Sequence, residues 1–402
     1  MSAVRSMKQR IAVAIATSLA VASAAAFAAV PAQAAPAEGV VLAANSAEAV
    51  PGSYLVTLKP GAGLTATGLP GKALISKYGG KVKRTFTSTL DGYSVTLSGT
   101  QARRLAADPQ VASVEQDQVV HALGTQTSAP WGLDRIDQAN LPLSGTYTYP
   151  DHGGNGATVY VLDTGVRITH QDVAGRASYG WDFVDNDATA QDGHGHGTFV
   201  ATVAAGTTYG VAKKAKVVAV RVLGNDGSGT TAGVIAGVEW ITANHVANSV
   251  ANVSLGGGAS TTLDNAVRNS ITSGVTYSIA AGNSGAPASG YSPARVSTAI
   301  TVGATTRTDA RASYSNYGPV VDLFAPGSGV TAGWNDSDSA TYTGNGTSFA
   351  APHVSGAAAA YLTAHPGSSP ATVASVLVNG ATNGALSGIG SGSPNKLLKL
   401  VP

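Results

Sequence analysis

The stretch "ATVYVLDTG", residues 157–165, is an apolar run that closes on an aspartate and a glycine. Similar runs recur at 216–223 ("KVVAVRVL"), 251–257 ("ANVSLGG") and 276–283 ("TYSIAAGN"), with helical patterns between them. Continuous runs of valine, isoleucine and alanine bounded by glycine are typical of strands buried on both faces. Strands that alternate with helices predict an α/β fold, with a mostly parallel sheet flanked by helices.

Composition narrows the class of protein. The 402 residues exceed one ordinary domain, so we expect two, and 44% hydrophobic residues suffice for a sizeable core. Only 11% of residues are charged and the formal net charge is +2, which argues against a nucleic acid or a charged membrane surface as partner. Cysteine is absent, so we expect close packing or a bound metal in place of disulfides.

The first 34 residues predict a signal peptide. An apolar, alanine-rich run over 11–30 follows three basic residues, and Ala32-Gln33-Ala34 gives a small-x-small cleavage pattern; the basic residues are Arg5, Lys8 and Arg10. An uncleaved transmembrane anchor is the alternative, because the run is long enough to cross a bilayer. We therefore expect a secreted, extracellular protein, with residues 35–50 as an alanine-rich linker.

Residues 51–123 predict a small domain of a different kind. Their pattern alternates in the order strand, helix, strand, strand, helix, strand. This order is that of a ferredoxin-like α+β domain, which by itself specifies no function. Residues 124–402 carry the α/β pattern and form the second expected domain.

Three short stretches each place a polar residue at the boundary of an element. Asp163 ends the strand of "VLDTGV"; two histidines precede a helix in "HGHGTFVA" (194–201); Ser348 starts an alanine-rich helix in "GNGTSFAAPHVSG" (344–356). A nucleophilic serine needs a base within reach and an acid that orients the base. The helix start also directs backbone N–H groups toward charge developing at Ser348. Singly, Asp163 fits a turn carboxylate and Ser348 an N-cap.

The histidine pair, His194 and His196, fits three interpretations: two metal ligands, a base beside a bystander, or two solvated turn residues. A metal pair would need a third protein ligand, and the sequence offers no cysteine or further histidine cluster. An esterase elbow, G-x-S-x-G, would require glycine where the chain has Ala350. The chain order acid, histidine, serine is instead the order found in subtilisin.

From residue 131 onward the chain resembles the subtilisin-like serine proteases, and within them the proteinase K and aqualysin branch. The matching motifs are "PWGLDRIDQANLPLS", "VLDTGV", "HGTFVA", "SLGGG", "AAGNSG", "YSPARV", "SNYG", "VDLFAPG" and "GTSFAAPHVSG". The resemblance implies a serine endopeptidase whose base is His196, the histidine followed by Gly-Thr and a helix. Asp163 and Ser348 complete the implied triad, and the Asn283 amide joins the Ser348 N–H in the implied oxyanion hole. His194 stands where relatives usually have asparagine, close enough to perturb His196.

The resemblance also implies where a substrate binds. Two segments form the walls of the primary specificity pocket and a third forms the other edge of the substrate strand, and their glycines let a peptide backbone approach closely. Because the wall segments hold no acid or base, we expect an apolar or aromatic P1 side chain, that of the residue whose carbonyl is attacked. Specificity is otherwise expected to be broad. The walls are Ser254, Leu255, Gly256, Ala280, Ala281 and Gly282, and the edge is Gly227, Ser228 and Gly229.

Structural, non-catalytic calcium is a further implication of the resemblance. One site would combine the Asp322 carboxylate with the backbone carbonyls of Ser297 and Ala299. A second would use the matches to relatives' ligands, although Ser144 replaces an acid found in some of them; these matches are Asp134, Asp137 and Gln138.

The acidic loop "WDFVDNDATAQD", residues 181–192, is a third candidate for a cation. Its four aspartates would repel one another unless a cation neutralised them; they are Asp182, Asp185, Asp187 and Asp192. Of these, Asp185 and Asp187 are the expected ligands. A solvated acidic loop is the alternative.

Residues 52–120 resemble the inhibitory propeptide of the same family, which implies a zymogen that cleaves itself. We expect cleavage between Leu123 and Gly124, because "GTQTSAPWG" resembles the mature start of aqualysin. The expected partners are protein and peptide substrates and the chain's own propeptide, as inhibitor and folding chaperone. The mature form is expected to be a monomer without nucleic acid or membrane partners. A catalytically silent extracellular binding homologue is the alternative of another class.

Two departures from the resemblance stand out. Relatives in this branch often carry two disulfides, and none of the four matching positions is cysteine; these are Gly193, Asn225, Ser289 and Val320. Phe349 replaces a methionine common after the family's serine. We expect a greater dependence on calcium and unimpaired catalysis.

Overall fold

The computed structural model describes residues 36–46, 49–118 and 123–400, so the expected signal peptide lies outside the described residues. The chain divides into two compact units, Met1–Val119 and Val120–Pro402. Within the described ranges, no helix is long and apolar enough to cross a membrane.

The first unit is a five-stranded sheet with two helices. Its elements are β1 (Val41–Leu42), β2 (Ala49–Leu58), α1 (Leu69–Lys77), β3 (Lys81–Phe86), β4 (Gly92–Thr96), α2 (Gly99–Ala106) and β5 (Val111–Gln118). The strand order is β1-β5-β2-β4-β3. Elements β2 to β5 follow the expected order. The expected linker, however, contributes β1, which pairs in parallel with β5 because Val41 packs against the apolar core of this unit.

The second unit contains the larger sheet and six helices among the described residues. Its first elements are β6 (Leu123–Thr127), α3 (Trp131–Ile136), β7 (Thr146–Pro150), β8 (Thr158–Asp163), β9 (Ala177–Asp182), α4 (His196–Ala205), β10 (Lys216–Arg221), α5 (Thr231–Asn244), β11 (Ser249–Val253), β12 (Gly257–Gly258) and α6 (Thr261–Thr272). They are followed by β13 (Thr276–Ala280), β14 (Tyr291–Ser292), β15 (Ile300–Thr305), β16 (Leu323–Pro326), β17 (Ser328–Gly333), β18 (Thr341–Asn345), α7 (Thr347–Ala364), α8 (Pro370–Gly380), β19 (Thr382–Asn383) and β20 (Lys396–Leu397).

The main sheet has nine strands in the order β19-β20-β16-β15-β13-β11-β8-β10-β9. Every neighbouring pair is parallel except β19 with β20, which confirms the expected mostly parallel sheet. Alternate side chains of the central strands face different helices. Val253 and Ile279 join the apolar core with α5 and α6, whereas Asn252 and Ser278 hydrogen-bond to α7. Helices therefore cover both faces of the sheet.

The strand order determines where the candidate functional residues lie. Strands β8, β11 and β13 are adjacent, and their carboxyl ends lie together at one edge of the sheet. Strand β8 has β10 on one side and β11 on the other, so the order of strand addition reverses there. In open parallel sheets, ligands bind in the crevice outside the strand ends at such a reversal. Asp163, the last residue of β8, stands at this point.

Candidate active site

Asp163 and His196 form a hydrogen-bonded pair at the end of β8. Asp163 is fully buried, and His196 is the first residue of α4. His196 Nδ1 donates to Asp163 Oδ1 over 2.7 Å, and the Thr164 N–H donates to the same oxygen. Because a carboxylate only accepts, the proton of the neutral ring resides on Nδ1, which leaves Nε2 as an acceptor.

Opposing effects set the pKa of His196. Burial alone would lower this pKa, because the charged ring loses its hydration. The charge and hydrogen bond of Asp163, with a smaller contribution from the charge of Asp192, outweigh burial and raise the pKa above its ordinary value. The pair is thus arranged to stabilise a proton on the ring.

Asp192 holds the turn that places His196. Its oxygens accept from the backbone N–H groups of His194 and Gly195, from the Thr164 hydroxyl, and from both the N–H and the hydroxyl of Thr198. This organising role was missed by sequence analysis, which grouped Asp192 with the acidic loop. The signal was its position three residues before the glycine that precedes the helix.

Gly195 is required by the same turn. Its φ is +110°, a region that side chains rarely adopt, and an added Cβ would lie 2.2 Å from the Trp334 ring. The alternation of glycine and histidine in this motif therefore reflects backbone geometry, and it needs no bound metal.

Ser348 lies in the first turn of α7 and is tied to Ser254. Pro352, four residues on, has no N–H to donate to the Ser348 carbonyl, and the Ser254 hydroxyl donates to that carbonyl instead, over 2.8 Å. In return, the Ser348 hydroxyl donates to the Ser254 carbonyl over 3.1 Å. The expected hydrogen bond from Ser348 to His196 is therefore replaced in this structure.

The difference concerns the orientation of one hydroxyl. Ser348 and His196 line the same cleft, and a serine hydroxyl changes acceptor by rotating between staggered rotamers. Catalytic hydrogen bonds often tighten only when substrate binds.

Asn283 follows β13 and is oriented by Thr347. Its Oδ1 accepts from the Thr347 N–H and hydroxyl, both over 2.8 Å. A backbone N–H can only donate, so the atom facing it is the oxygen and the amide NH₂ is directed elsewhere, toward Gly346 at the start of α7. The Ser348 N–H belongs to the first helical turn and has no intrahelical acceptor. Two donors thus lie beside the serine, and Thr347, which sequence analysis missed, fixes one of them.

The residues expected to bind substrate line one cleft of about 730 Å³, together with His196, Asn283 and Ser348. All nine are present: Gly227, Ser228, Gly229, Ser254, Leu255, Gly256, Ala280, Ala281 and Gly282. Sequence analysis missed further apolar lining residues, because an apolar pattern in a helix, strand or loop does not distinguish a residue facing a cleft from one facing the core; these are Leu223, Val234, Leu263, Tyr291 and Ala294. Among the described lining residues, Asp226 alone carries a full charge at neutral pH.

Asp322 fits a cation ligand. The Thr301 N–H donates to one carboxylate oxygen over 2.8 Å, and Asp322 in turn donates its N–H to the Thr301 carbonyl, which holds it beside the segment of Ser297 and Ala299. Burial raises the pKa of Asp322 to about 6, against the weaker lowering effects of the Thr301 hydrogen bond and the charge of Lys396. A bound cation would stabilise this poorly compensated carboxylate.

The second expected site fits less well. Both oxygens of Asp134 are engaged by three donors, the N–H and hydroxyl of Ser144 and the Gly145 N–H. Gln138 accepts from the Ser144 N–H and donates to the Pro142 carbonyl. Of the three expected ligands, Asp137 alone retains a buried carboxylate oxygen without a partner among the described residues. The Ser144 hydroxyl thus donates a hydrogen bond to Asp134. An acid at this position would instead add a second carboxylate, which a cation would have to neutralise.

Arginine neutralises the acidic loop. The Arg221 guanidinium lies 2.6 Å from carboxylate oxygens of both Asp182 and Asp185. Asp187 is exposed and accepts the Thr189 N–H. The expected repulsion between aspartates is therefore relieved by a side chain, and the described residues contain no cluster of three or more acids or histidines spaced for a metal ion.

The expected cleavage junction lies in a strand. Leu123 pairs with Pro150 and Gly124 with Tyr149 in the antiparallel ladder of β6 and β7. Leu123 is 58% exposed and is not among the residues that line the cleft. Backbone pairing with β7 accounts for this position.

A carboxylate–imidazole pair and a helix-start serine at the carboxyl edge of a parallel sheet define a serine hydrolase of the α/β class. Residues 154–393 match the peptidase S8 family, described as the subtilase family, and residues 64–123 match the peptidase inhibitor I9 family. The chain belongs to the subtilase family of serine proteinases and carries an inhibitor I9 propeptide domain.

Known relatives agree with this assignment. An extracellular serine proteinase of Thermus sp. (strain Rt41A) is 48% identical over 90% of this chain and 92% of its own. Alkaline serine exoprotease A of Vibrio alginolyticus is 50% identical over 80% of this chain and 60% of its own. The crystal structure of a cold adapted subtilisin-like serine proteinase is 50% identical, covers 69% of this chain and all of its own, and gives a TM-score of 0.67. The expected subtilisin-like fold is confirmed.

Proposed function

We propose that the chain is a secreted serine endopeptidase made as a self-cleaving precursor. The observation that carries the proposal is the buried Asp163–His196 hydrogen bond in a cleft shared with Ser348. In this proposal residues 1–34 are a signal peptide, 35–50 a linker, 51–123 the inhibitory propeptide and 124–402 the peptidase.

Acylation begins when the Ser348 hydroxyl rotates from the Ser254 carbonyl to His196 Nε2. His196 takes the hydroxyl proton as the serine oxygen forms a bond to the substrate carbonyl carbon. Asp163 stabilises the imidazolium, which then gives its proton to the leaving amine as the peptide C–N bond breaks. A water molecule attacks the acyl-enzyme by the same steps, and Ser348 recovers its proton.

The oxyanion formed in both steps is stabilised by two N–H donors. These are the Asn283 amide and the Ser348 backbone N–H. Thr347 supports the first, because its two donors hold the amide oxygen and thereby direct the NH₂ group. Loss of the corresponding asparagine in a subtilisin lowers turnover by about 10² to 10³, and we expect the same order for Asn283→Ala.

Specificity for an apolar or aromatic P1 side chain is supported by the composition of the cleft. Its walls contribute alanine, glycine, leucine and serine, and Asp226 is the one described lining residue with a full charge. A basic P1 side chain would find no buried acid to pair with, and its desolvation would be uncompensated. The exposed glycines allow backbone pairing with most sequences, so other positions are broadly tolerated.

Calcium, location and assembly complete the proposal. Asp322 with the Ser297 and Ala299 carbonyls would hold a structural calcium ion. Secretion is supported by the signal-like leader and by the extracellular relatives. We propose a mature monomer whose partners are protein and peptide substrates and its own propeptide, cut between Leu123 and Gly124.

The experiment is to express the full precursor with Ser348→Ala beside the wild type and a matched Ser375→Ala control, whose serine is exposed on α8. We expect wild type and control to mature with Gly124 as the first residue and to hydrolyse peptides. The Ser348→Ala chain should stay full length and inactive. Maturation of the Ser348→Ala chain by itself would contradict the proposal.

A further inference from the structure

His194 is the one histidine of the cleft that the proposed mechanism leaves unused. It lines the cleft beside His196, with their ring centroids 6.4 Å apart. The His194 ring also packs 6.0 Å from the Trp334 ring, at a tilt of 60°. Its neighbour across the cleft is Gly227, whose added Cβ would lie 3.2 Å from His194 Nε2. The imidazole therefore faces the loop proposed as one edge of the substrate strand.

The His194 ring is held in one orientation. Its backbone N–H donates to Asp192, and its Nδ1 accepts the backbone N–H of His196 over 3.3 Å. Because Nδ1 accepts, the proton of the neutral ring is on Nε2, and that N–H points toward Gly227. Among the described residues, Nε2 has no hydrogen-bond partner. The His194 Nε2–H is thus a donor of fixed orientation in the cleft that is available to a bound substrate.

The position of this donor selects one substrate residue. In an extended peptide, successive side chains point to opposite faces. A P1 side chain directed between the segments 254–256 and 280–282 leaves the preceding side chain directed the other way, toward His196 and His194. A short side chain ending in a carbonyl oxygen would reach the Nε2 donor, whereas an aliphatic side chain of the same shape would leave it unpaired.

We infer that His194 is a specificity-determining residue that favours asparagine or aspartate immediately before the P1 residue. This inference rests on the proposed function, since it requires a peptide bound in this cleft. Among the described residues that line the cleft, Asp226 alone carries a full charge at neutral pH, and its carboxylate is already bound by the N–H and hydroxyl of Ser228. Asp226 favours the neutral amide of asparagine over the carboxylate of aspartate.

The test is a matched set of chromogenic tetrapeptides with phenylalanine at P1 and asparagine, aspartate, leucine or alanine before it. The enzymes are wild type, His194→Phe, His194→Asn and Asp226→Asn, each quantified by active-site titration. His194→Phe keeps a ring beside Trp334 without donors. His194→Asn keeps an acceptor for the His196 N–H, but its side chain is too short to place a donor at the position of Nε2.

Each enzyme's kcat/KM is expressed relative to its own alanine substrate, so a general loss of activity cancels. In wild type we expect the relative kcat/KM of the asparagine peptide to exceed that of the isosteric leucine peptide by about three- to tenfold, which corresponds to one net hydrogen bond. Both His194 variants should lose this preference. Asp226→Asn should raise the relative kcat/KM of the aspartate peptide toward that of the asparagine peptide. Equal asparagine-to-leucine ratios in wild type and both His194 variants would overturn the inference. If wild type cleaved no peptide, the proposed function would fall as well.

Discussion

Ser254 and Ser348 bind each other through two hydrogen bonds that run in opposite directions. The Ser254 hydroxyl donates to the Ser348 carbonyl, and the Ser348 hydroxyl donates to the Ser254 carbonyl. The first bond replaces the helical one that Pro352 cannot make. The pair therefore anchors the start of α7, where both the proposed nucleophile and a proposed oxyanion donor are located, to the end of β11.

Ser254→Ala should destabilise the protein and slow turnover. The Ser348 carbonyl would lose its donor, and an unsatisfied buried group costs about 1–3 kcal/mol. Adding Pro352→Ala supplies a backbone N–H to the same carbonyl, so the double variant should recover part of the loss. Chemical denaturation and kcat measure both effects, with Ser375→Ala as the exposed control. A Ser254→Ala protein as stable and as fast as wild type would contradict the anchoring role.

The acid limb of the activity profile should lie above the ordinary histidine pKa of 6.5. His196 must be neutral to act as a base, and Asp163 and Asp192 raise its pKa despite burial. Activity is therefore lost as pH falls through that raised value and is regained as pH rises through it. The profile of kcat/KM reports this group in the free enzyme. In Asp163→Asn, the His196 resonance followed by NMR should titrate at lower pH. An acid-limb midpoint at or below 6.5 in wild type would contradict the account.

The sequence predicted the parts of this molecule that depend on local patterns. Buried apolar runs identified the strands of the main sheet, and glycine-bounded motifs located Asp163, His196, Asn283 and Ser348 at element ends. Contacts between distant residues could not be predicted in this way. One of the five donors to Asp192, the Thr164 hydroxyl, lies 28 positions away in the chain, and the Arg221 bridge in the acidic loop joins residues 36 and 39 positions apart.

Other differences arose where several acceptors or partners compete for one group. The Ser348 hydroxyl has two possible acceptors, and a motif does not say which one it takes. The short strand β1 within the expected linker depends on the free edge of β5, which no pattern in residues 35–50 reveals. The fold class is thus predictable from sequence and the motifs nominate the residues of the candidate site, whereas the hydrogen-bond network requires coordinates.

Chelation of calcium should lower the melting temperature. An ion present at one hundred times its Kd stabilises the folded state by about 3 kcal/mol, and the chain has no cysteine to offset its loss. Thermal unfolding with and without chelator measures the effect. Asp322→Asn should abolish the difference, whereas Asp187→Asn, in the arginine-neutralised loop, should retain it. A melting temperature unaffected by chelation would refute the proposed ion.

The mature enzyme should withstand peroxide. The sequence has two methionines, Met1 and Met7, both in the proposed signal peptide, and no cysteine. Thioethers and thiols are the side chains most readily oxidised. Phe349 is nearly buried, with its ring 5.7 Å from that of His196, so Phe349→Met would place a sulfur beside the base. Wild type should keep its kcat after treatment, and Phe349→Met should lose activity. Equal inactivation of the two enzymes would contradict the prediction.

The most direct measurement is covalent labelling of the secreted wild-type protein with a fluorophosphonate, followed by intact-mass analysis and peptide mapping. A serine activated by His196 should react once per molecule, and the label should map to Ser348 on a chain that begins at Gly124. Asp163→Asn should react far more slowly, because its imidazole is held in the wrong tautomer. Absence of labelling, or a label on any other serine, would contradict the claim that Asp163, His196 and Ser348 act together.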